Sequence, residues 1–315
     1  MQNFYGIKLL TKREYFENEN GELYCQKYCF ENNYISIGYQ TDGHPEIDTK
    51  ENYENFYKND TKWQHLYKRF SEINKDSYIW VKKDARTYYL GKITDTVPSI
   101  PKDNWIQKIG LVRKCIWVKN IEFDEIPGCI INQFSGRNKT LWQIRKISDS
   151  IKKYCTWLYE TKINDINQNI VSLNLKGCIK ELIHYDDLED LVGIYLQVHG
   201  YKDTGEKYII HPSTNKLSTK TIEYELRSYN GKKAGVQCKT GDSNIDDDLN
   251  KILYLIKNEN YTIYVCVMSG GEKYNNINDN LKQIDFNELI EWASENDNMS
   301  ILPTRIQHYI KLTSI

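Results

Sequence analysis

The sequence predicts an α+β or α/β protein of two domains: a small, partly open β-barrel, followed by a mixed sheet flanked by helices. Three observations predict this class. The chain has 315 residues, a length usual for about two domains. Residues 1–140 contain many short β-type runs separated by turn residues, as small barrels do. Beyond residue 175, stretches with helical and strand periodicity alternate.

The first domain, residues 1–140, is predicted from four strand-like runs and one helix. Residues 34–39 alternate large and small side chains, and residues 109–118 form a longer apolar run. Residues 78–83 and 87–93 flank Asp84-Ala85-Arg86, which predicts a hairpin. The predicted helix covers residues 50–73 and has an apolar face of Trp63, Leu66, Tyr67 and Phe70.

Residues 141–174 are predicted to connect the two domains. From residue 140 to about residue 162, apolar residues recur at every third or fourth position, which indicates a helix. The polar stretch 163–174 follows it as a linker. The second domain is therefore predicted over residues 175–315.

The elements of the second domain are predicted in the order α-β-β-β-α-β-α. Its first helix, over about 175–199, ends at Gly200, because glycine accommodates the left-handed backbone that closes a helix. Asn230-Gly231 is a strong hairpin signal between two strands. The acidic triple Asp246-Asp247-Asp248 opens a later helix, where carboxylates favour the helix dipole. The other predictions are strands at 208–211, 221–228, 233–239 and 261–268, and helices at 246–258, 286–296 and 303–312.

Composition and charge limit the classes of function that the protein can have. A net charge of −1 argues against a uniformly basic protein, but a local basic face is enough to bind nucleic acid. We find no apolar run near the roughly 18 residues of a membrane span and no signal-peptide pattern, so we expect a cytoplasmic protein without a membrane partner. Cys25 and Cys29 form one close pair without a matching second pair, so we expect reduced thiols rather than a zinc site.

The hairpin around Asn230-Gly231 carries residues suited to phosphodiester hydrolysis. This reaction needs an acidic metal ligand, a second oxygen ligand, and a cation that positions water or offsets developing negative charge. Gln237 and Lys239 lie two residues apart on one strand, so their side chains leave the same face. The candidate acids are Glu223 and Glu225 on the other arm and Glu189 on the preceding helix.

The length of the turn decides whether these groups meet. A loop of two or four residues would place Tyr224 on the face of Gln237 and Lys239. A loop of three or five residues would pair Glu225 with Gln237 and Glu223 with Lys239, so that both acids share that face. The candidate site therefore requires an odd loop.

Over about residues 180–270, the chain resembles the PD-(D/E)xK nuclease superfamily, in particular Mrr-like restriction endonucleases. The shared pattern reads here as Leu188-Glu189-Asp190-Leu191-Val192, Gly200-Tyr201, the hairpin acid Glu225, and Gln237-Cys238-Lys239. The resemblance implies an active site of Glu189, Glu225, Gln237 and Lys239 around Mg²⁺ or Mn²⁺. The usual hairpin Asp is a Glu here, and Glu223 competes with Glu225 as the metal ligand.

The first domain resembles, more loosely, PUA-like and EVE-like modules over about residues 30–135. The resemblance rests on a Trp-containing run at 76–81 followed by Gly91-Lys92-Ile93. It implies a domain that reads DNA and stacks on a flipped, modified base. The candidate stacking residues are Tyr39, Trp80 and Trp117, although large aromatic residues also form the core of small barrels.

The two resemblances together imply a Mg²⁺-dependent endonuclease acting on double-stranded DNA, of the modification-dependent restriction or phage-defence kind. A homodimer would supply one active site for each strand, and the sequence does not indicate a partner ATPase. Two alternatives stay open: a nuclease-fold protein that has lost metal binding, and an RNA-directed nuclease. Candidate phosphate contacts around the hairpin are Lys216, Lys220, Arg227, Lys232 and Lys233.

Overall fold

The computed structural model divides the chain into two compact units. Unit 1 comprises Met1–Ile126 and Ile130–Leu173, and unit 2 comprises Pro127–Cys129 and Asn174–Ile315. Each unit contains helices and a mixed β-sheet, so the predicted α+β class is confirmed at this level. The structure describes residues 3–9, 24–37, 47, 49–101, 109–134, 140–145, 147–165, 175, 177–201, 205–210, 221–240, 244–269, 273–274 and 276–313.

The framework of unit 1 is a six-stranded mixed sheet. Its strands are β1 (Phe4–Ile7), β2 (Tyr34–Ile37), β3 (Tyr78–Lys82), β4 (Tyr88–Ile93), β5 (Leu111–Ile121) and β6 (Leu141–Gln143). The strand order is β2-β5-β4-β3-β1-β6, with β1 and β3 parallel and the other neighbours antiparallel. The predicted hairpin is confirmed, because β3 and β4 pair and Asp84 accepts the backbone N–H groups of Arg86 and Thr87 at 2.9 Å.

Both helices predicted within unit 1 differ from the structure. The single helix predicted over 50–73 is two helices, because Asp60 starts a new one by accepting the N–H of Trp63 at 3.0 Å. The helix predicted from residue 140 begins only after Ser148, which caps it, and residues 141–143 form a strand instead. The described helices are Tyr24–Glu31, Lys50–Phe56, Thr61–Ser71 and Asp149–Asn164, with Gly128–Phe134 at the boundary and a 3₁₀ turn at Phe123–Glu125.

The buried guanidinium group of Arg113 finds its partners within unit 1. Arg113 on β5 is fully buried, and its Nε donates to Asp95 Oδ1 at 2.6 Å. Its other donors reach the carbonyl oxygens of Phe70, Ile73 and Asp95 at 2.8–3.1 Å. This set of contacts ties β5 to the end of the Thr61–Ser71 helix.

Unit 2 contains a five-stranded mixed sheet. Its strands are β7 (Tyr208–Ile210), β8 (Tyr224–Ser228), β9 (Lys233–Lys239), β10 (Tyr261–Val267) and β11 (Leu281–Ile284). The order is β11-β10-β9-β8-β7, with β10 parallel to β9 and β11, and β8 antiparallel to β7 and β9. The sequence prediction included the first four of these strands and missed β11.

Two helices of unit 2 position the residues of interest. The Tyr185–Val198 helix packs on β8: the Tyr224 hydroxyl donates to the Glu189 carbonyl oxygen at 2.8 Å, and Gly193 is so close that a Cβ atom would lie 2.9 Å from that hydroxyl. The Leu249–Glu259 helix contributes Ile252 and Ile256 to a separate apolar cluster. The remaining described helices are Ile179–Leu182, Phe286–Ser294, Asn296–Met299 and Thr304–Thr313.

Two further properties concern the whole described part of the chain. Among its helices, none combines the length and the apolar character needed to cross a membrane. All eight cysteines lie in the described part of the chain and have free thiols. Cys129 and Cys178 are partly exposed, and the other six are buried.

Candidate active site

The turn between β8 and β9 has the odd length that the candidate site requires. The backbone N–H of Ser228 donates to the carbonyl oxygen of Lys232 at 3.0 Å, which leaves residues 229–231 in the loop. Gly231 occupies the last loop position with φ +79°, a conformation that glycine adopts without strain. A three-residue loop that ends in such a residue is a common hairpin connection. The position of the glycine thus fixes where the turn lies.

This turn brings Glu223, rather than Glu225, to Gln237. In the pairing of β8 with β9, Glu225 lies opposite Gly235, two residues from its predicted partner. The Glu223 carboxylate accepts a hydrogen bond from Gln237 Nε2 at 2.7 Å, and its backbone N–H donates to the Val236 carbonyl at 2.7 Å. The two acids do share a face with Gln237, as the odd loop predicts, but the predicted pairing is wrong by two residues because the turn is centred one residue earlier.

Glu225 has other partners. Its Oε1 lies 2.7 Å from Arg227 Nη2, and its Oε2 accepts a hydrogen bond from the Tyr261 hydroxyl at 2.8 Å. These contacts hold the carboxylate between β8 and β10. The acid of this arm that is available to Gln237 and the end of β9 is therefore Glu223.

Lys239 forms an ion pair with Asp248, a residue that the sequence predicts at the start of a helix. Its Nζ lies 3.3 Å from Asp248 Oδ2, and Lys251 Nζ lies 3.1 Å from Asp248 Oδ1. The side chain of Asp248 thus faces two lysines, although the residue stands at the N-cap position of the Leu249–Glu259 helix. Hydrogen bonds from Lys251 and Lys239 hold the pKa of Asp248 below its usual value. The prediction that Asp248 opens this helix is confirmed, but its side chain contacts Lys239 on β9 and makes no capping hydrogen bond.

Glu189 adds a second carboxylate to this cluster. Burial, and next the negative charge of Glu223, raises the pKa of Glu189 to about 8. Burial also raises the pKa of Glu223, although the charge of Lys239 opposes the shift. The acidic neighbours Asp186 and Asp190 add to the effect on Glu189. A place where carboxylates raise one another's pKa is a place where a bound cation would stabilise their charged forms.

The donor set fits a hard divalent cation such as Mg²⁺. Such ions prefer oxygen ligands, and Glu189, Glu223 and the Gln237 side chain offer two carboxylates and one amide. Among the residues that the structure describes, there is no group of three or more His, Cys, Asp or Glu side chains that could hold a metal ion. A cation bound here would therefore take the neutral Gln237 amide as its third protein ligand. Because its NH₂ group faces Glu223 in the structure, the Gln237 amide has to turn its oxygen toward a cation bound there.

The candidate base-stacking residues of unit 1 have core positions. Trp80 is 0% exposed, and Trp117 is 5% exposed with its Nε1 donating to the Tyr34 carbonyl oxygen at 3.2 Å. A base cannot reach either ring without opening the core, so the sequence interpretation of these two tryptophans as an open stacking cage is corrected. Tyr39 lies outside the described residues.

The candidate phosphate contacts are only partly described. Lys216 and Lys220 lie outside the described residues. Lys232 is largely exposed, with Nζ 3.3 Å from Glu206 Oε1. Lys233 Nζ lies 5.5 Å from the ring centroid of Tyr261. Both lysines flank the turn, whereas Gln237 and Lys239 lie toward the other end of β9.

Comparison of the chain with family models, with curated proteins and with solved structures finds no match in any of the three. The geometry brings together, at the start of β8 and the end of β9, the Glu223 carboxylate, the Gln237 amide and the Lys239 ammonium group, which is paired with Asp248. Glu189 lies on the neighbouring helix, where the charge of Glu223 helps to raise its pKa.

Proposed function

We propose that unit 2 is a metal-dependent phosphodiesterase with its active site at Glu189, Glu223, Gln237 and Lys239. One observation carries the proposal: the Glu223 carboxylate contacts Gln237 at 2.7 Å on the sheet face from which Lys239 also projects. An acid, an amide oxygen and a lysine on one face are the groups that phosphodiester hydrolysis requires.

Each residue has a distinct role in this proposal. Glu223 and Glu189 hold a divalent cation together with the Gln237 amide oxygen. When bound, Mg²⁺ supplies Lewis-acid stabilisation of the negative charge that develops on the phosphate. Lys239 places its ammonium group against a phosphate oxygen or the attacking water, and Asp248, at 3.3 Å, keeps that ammonium group in position.

The particular activity that we propose is an endonuclease for double-stranded DNA, of the modification-dependent restriction or phage-defence kind. The support for DNA as substrate is the sequence resemblance of residues 180–270 to Mrr-like endonucleases, with Glu223 replacing Glu225 in its motif. The support for a DNA-reading role of unit 1 is its looser resemblance to PUA-like and EVE-like modules. A homodimer, with one site for each strand, belongs to the same proposal.

Cleavage of supercoiled plasmid DNA with Mg²⁺ or Mn²⁺ tests the proposal. We expect Lys239→Ala to lower the cleavage rate by about a hundred-fold or more, since it removes a charge that acts on the transition state. The matched control is Lys311→Ala, an exposed lysine on the Thr304–Thr313 helix, which should cleave like the unaltered protein. Circular dichroism should give the same folded spectrum for all three proteins. Full activity of Lys239→Ala would remove the catalytic assignment.

Two measurements separate the alternatives. Calorimetric titration with Mg²⁺ or Mn²⁺ that detects no binding would favour a nuclease fold without catalysis. Faster cleavage of RNA than of DNA of the same sequence would favour the RNA-directed alternative. Methylated, hydroxymethylated and unmodified phage DNA, compared under the same conditions, would show whether cleavage depends on modification.

A further inference from the structure

A groove lies beside the candidate active site on the Leu249–Glu259 helix. It has a volume of about 460 Å³ and is lined by Thr221, Asn250, Lys251, Tyr254 and Leu255. The groove is largely open to solvent, and its volume lies within the range of about 300–1,000 Å³ that is usual for small-molecule sites. The lining combines an aromatic ring, an ammonium group, an amide and a hydroxyl, which are groups that suit a nucleotide.

Tyr254 and Lys251 present their side chains to solvent at this groove. Tyr254 is 61% exposed, and the Lys251 side chain is 58% exposed. On the same helix, Ile252 and Ile256 fill the core, so the fold does not need the tyrosine ring as an apolar anchor. An exposed aromatic ring next to a lysine forms the combination that binds single-stranded nucleic acid by stacking and by phosphate contact.

Asp248 connects the groove to the catalytic lysine. Its two carboxylate oxygens lie 3.3 Å from Lys239 Nζ and 3.1 Å from Lys251 Nζ. One side chain therefore spans the distance between the residue that we assign to catalysis and a residue that lines the groove. The groove and the candidate active site are also close along the chain, because Thr221, which lines the groove, precedes Glu223 by two residues.

We infer that this groove binds the nucleotide next to the scissile phosphate, with Tyr254 stacking on its base and Lys251 contacting its phosphate. This inference rests on the proposed function. It also requires that one base unstacks from the duplex in order to enter the groove. Stacking on an aromatic ring tolerates every base, so the groove contributes affinity and strand position rather than sequence preference.

Binding of a short fluorescein-labelled oligonucleotide, followed by anisotropy in the Lys239→Ala background with Mg²⁺, tests the inference. We expect Tyr254→Ala to weaken binding about ten-fold or more, and Tyr254→Phe, which keeps the ring, to stay within about two-fold. Lys251→Ala should weaken binding and reduce the salt dependence by about one phosphate contact. The matched controls are Tyr229→Ala, which is 77% exposed on the turn, and Lys257→Ala on the same helix. Both should bind like the background protein.

Hydrolysis of bis(4-nitrophenyl) phosphate separates this inference from the proposed function, because that ester is too small to need the groove. Tyr254→Ala with Lys239 intact should hydrolyse it at the unaltered rate. If Tyr254→Ala binds the oligonucleotide as tightly as Tyr229→Ala does, the groove assignment is overturned even while Lys239-dependent cleavage stands. If binding depends on Tyr254 but neither DNA nor the ester is cleaved, the proposed function fails and a nucleotide site remains.

Discussion

Two sites of buried charge, one in each unit, differ in how that charge is compensated. In unit 1, the fully buried Arg113 has an acid at 2.6 Å and backbone carbonyl oxygens around its remaining donors. In unit 2, Glu189 and Glu223 lie among acidic neighbours, and burial raises the pKa of both. Charge that is compensated within the chain serves the fold. Carboxyl groups without an opposite charge nearby weaken the fold when they ionise, and the cation that we propose would supply that charge.

The largest effect that we expect concerns the compensated charge. Arg113→Ala leaves the Asp95 carboxylate and three carbonyl oxygens without their buried donor, so we expect the free energy of unfolding to fall by about 3–5 kcal/mol. Denaturant titration measures this change. Arg69→Ala, which removes an exposed arginine from the Thr61–Ser71 helix, should stay within about 0.5 kcal/mol. Equal denaturant midpoints for the two variants would show that the buried contacts of Arg113 do not stabilise unit 1.

A second prediction separates the two acids on β8. Glu223→Gln should lower DNA cleavage by about a hundred-fold or more and abolish Mg²⁺ binding, because it removes a charged ligand next to Gln237. Glu225→Gln should keep both properties, because Glu225 is bonded to Arg227 and Tyr261 instead. Plasmid cleavage and calorimetry measure the pair. The reverse outcome would indicate that Glu225, paired with Gln237 as the sequence predicts, is the metal ligand.

A third prediction is a dependence of Mg²⁺ affinity on pH. Because the pKa of Glu189 is raised to about 8, chiefly by burial, its carboxyl group is largely protonated at pH 6 and has to lose a proton to bind a cation. Calorimetry should show the affinity rising by up to about ten-fold per pH unit between pH 6 and about 8, and levelling above. Glu189→Gln should bind more weakly and without this slope. An affinity of the unaltered protein that is constant over this range would contradict the assignment.

The same shift predicts how the metal-free protein responds to pH. The folded pKa of Glu189 exceeds its unfolded value of about 4.3, so the folded chain holds the proton more tightly. The resulting stabilisation is present below about pH 4 and is lost as pH rises toward about 8. Thermal unfolding without metal should therefore show a weaker decline across this range for Glu189→Gln.

The elements that the sequence predicted best are those with strong local signals. The β3–β4 hairpin and strand β10 follow from long apolar or β-branched runs bounded by turn residues. Strand β11 was missed because its four residues, Leu281–Ile284, include two polar ones and resemble a loop. The break at Asp60 was missed because apolar spacing continues across it, although an Asp three residues before Trp63 is a capping signal.

The sequence named the residues of the candidate site but not how they pair. The sequence indicated Glu189, Gln237 and Lys239, and it left the choice between Glu223 and Glu225 to the register. That choice depends on which loop residue takes the positive φ, and Asn230-Gly231 allows more than one answer. Asp248 was assigned to its helix because the contact with Lys239 joins elements that local patterns do not relate.

The contact of Tyr224 with the helix opposite it has a consequence for the cost of assembling the site. Tyr224 follows Glu223 directly, and its hydroxyl bonds to the backbone of Glu189, so neighbouring residues tie the two acids together through the core. The bond fixes the backbones of these two segments relative to each other. The backbone positions of the two acids are therefore set when the chain folds, and a cation bound as we propose would not have to bring these two segments together.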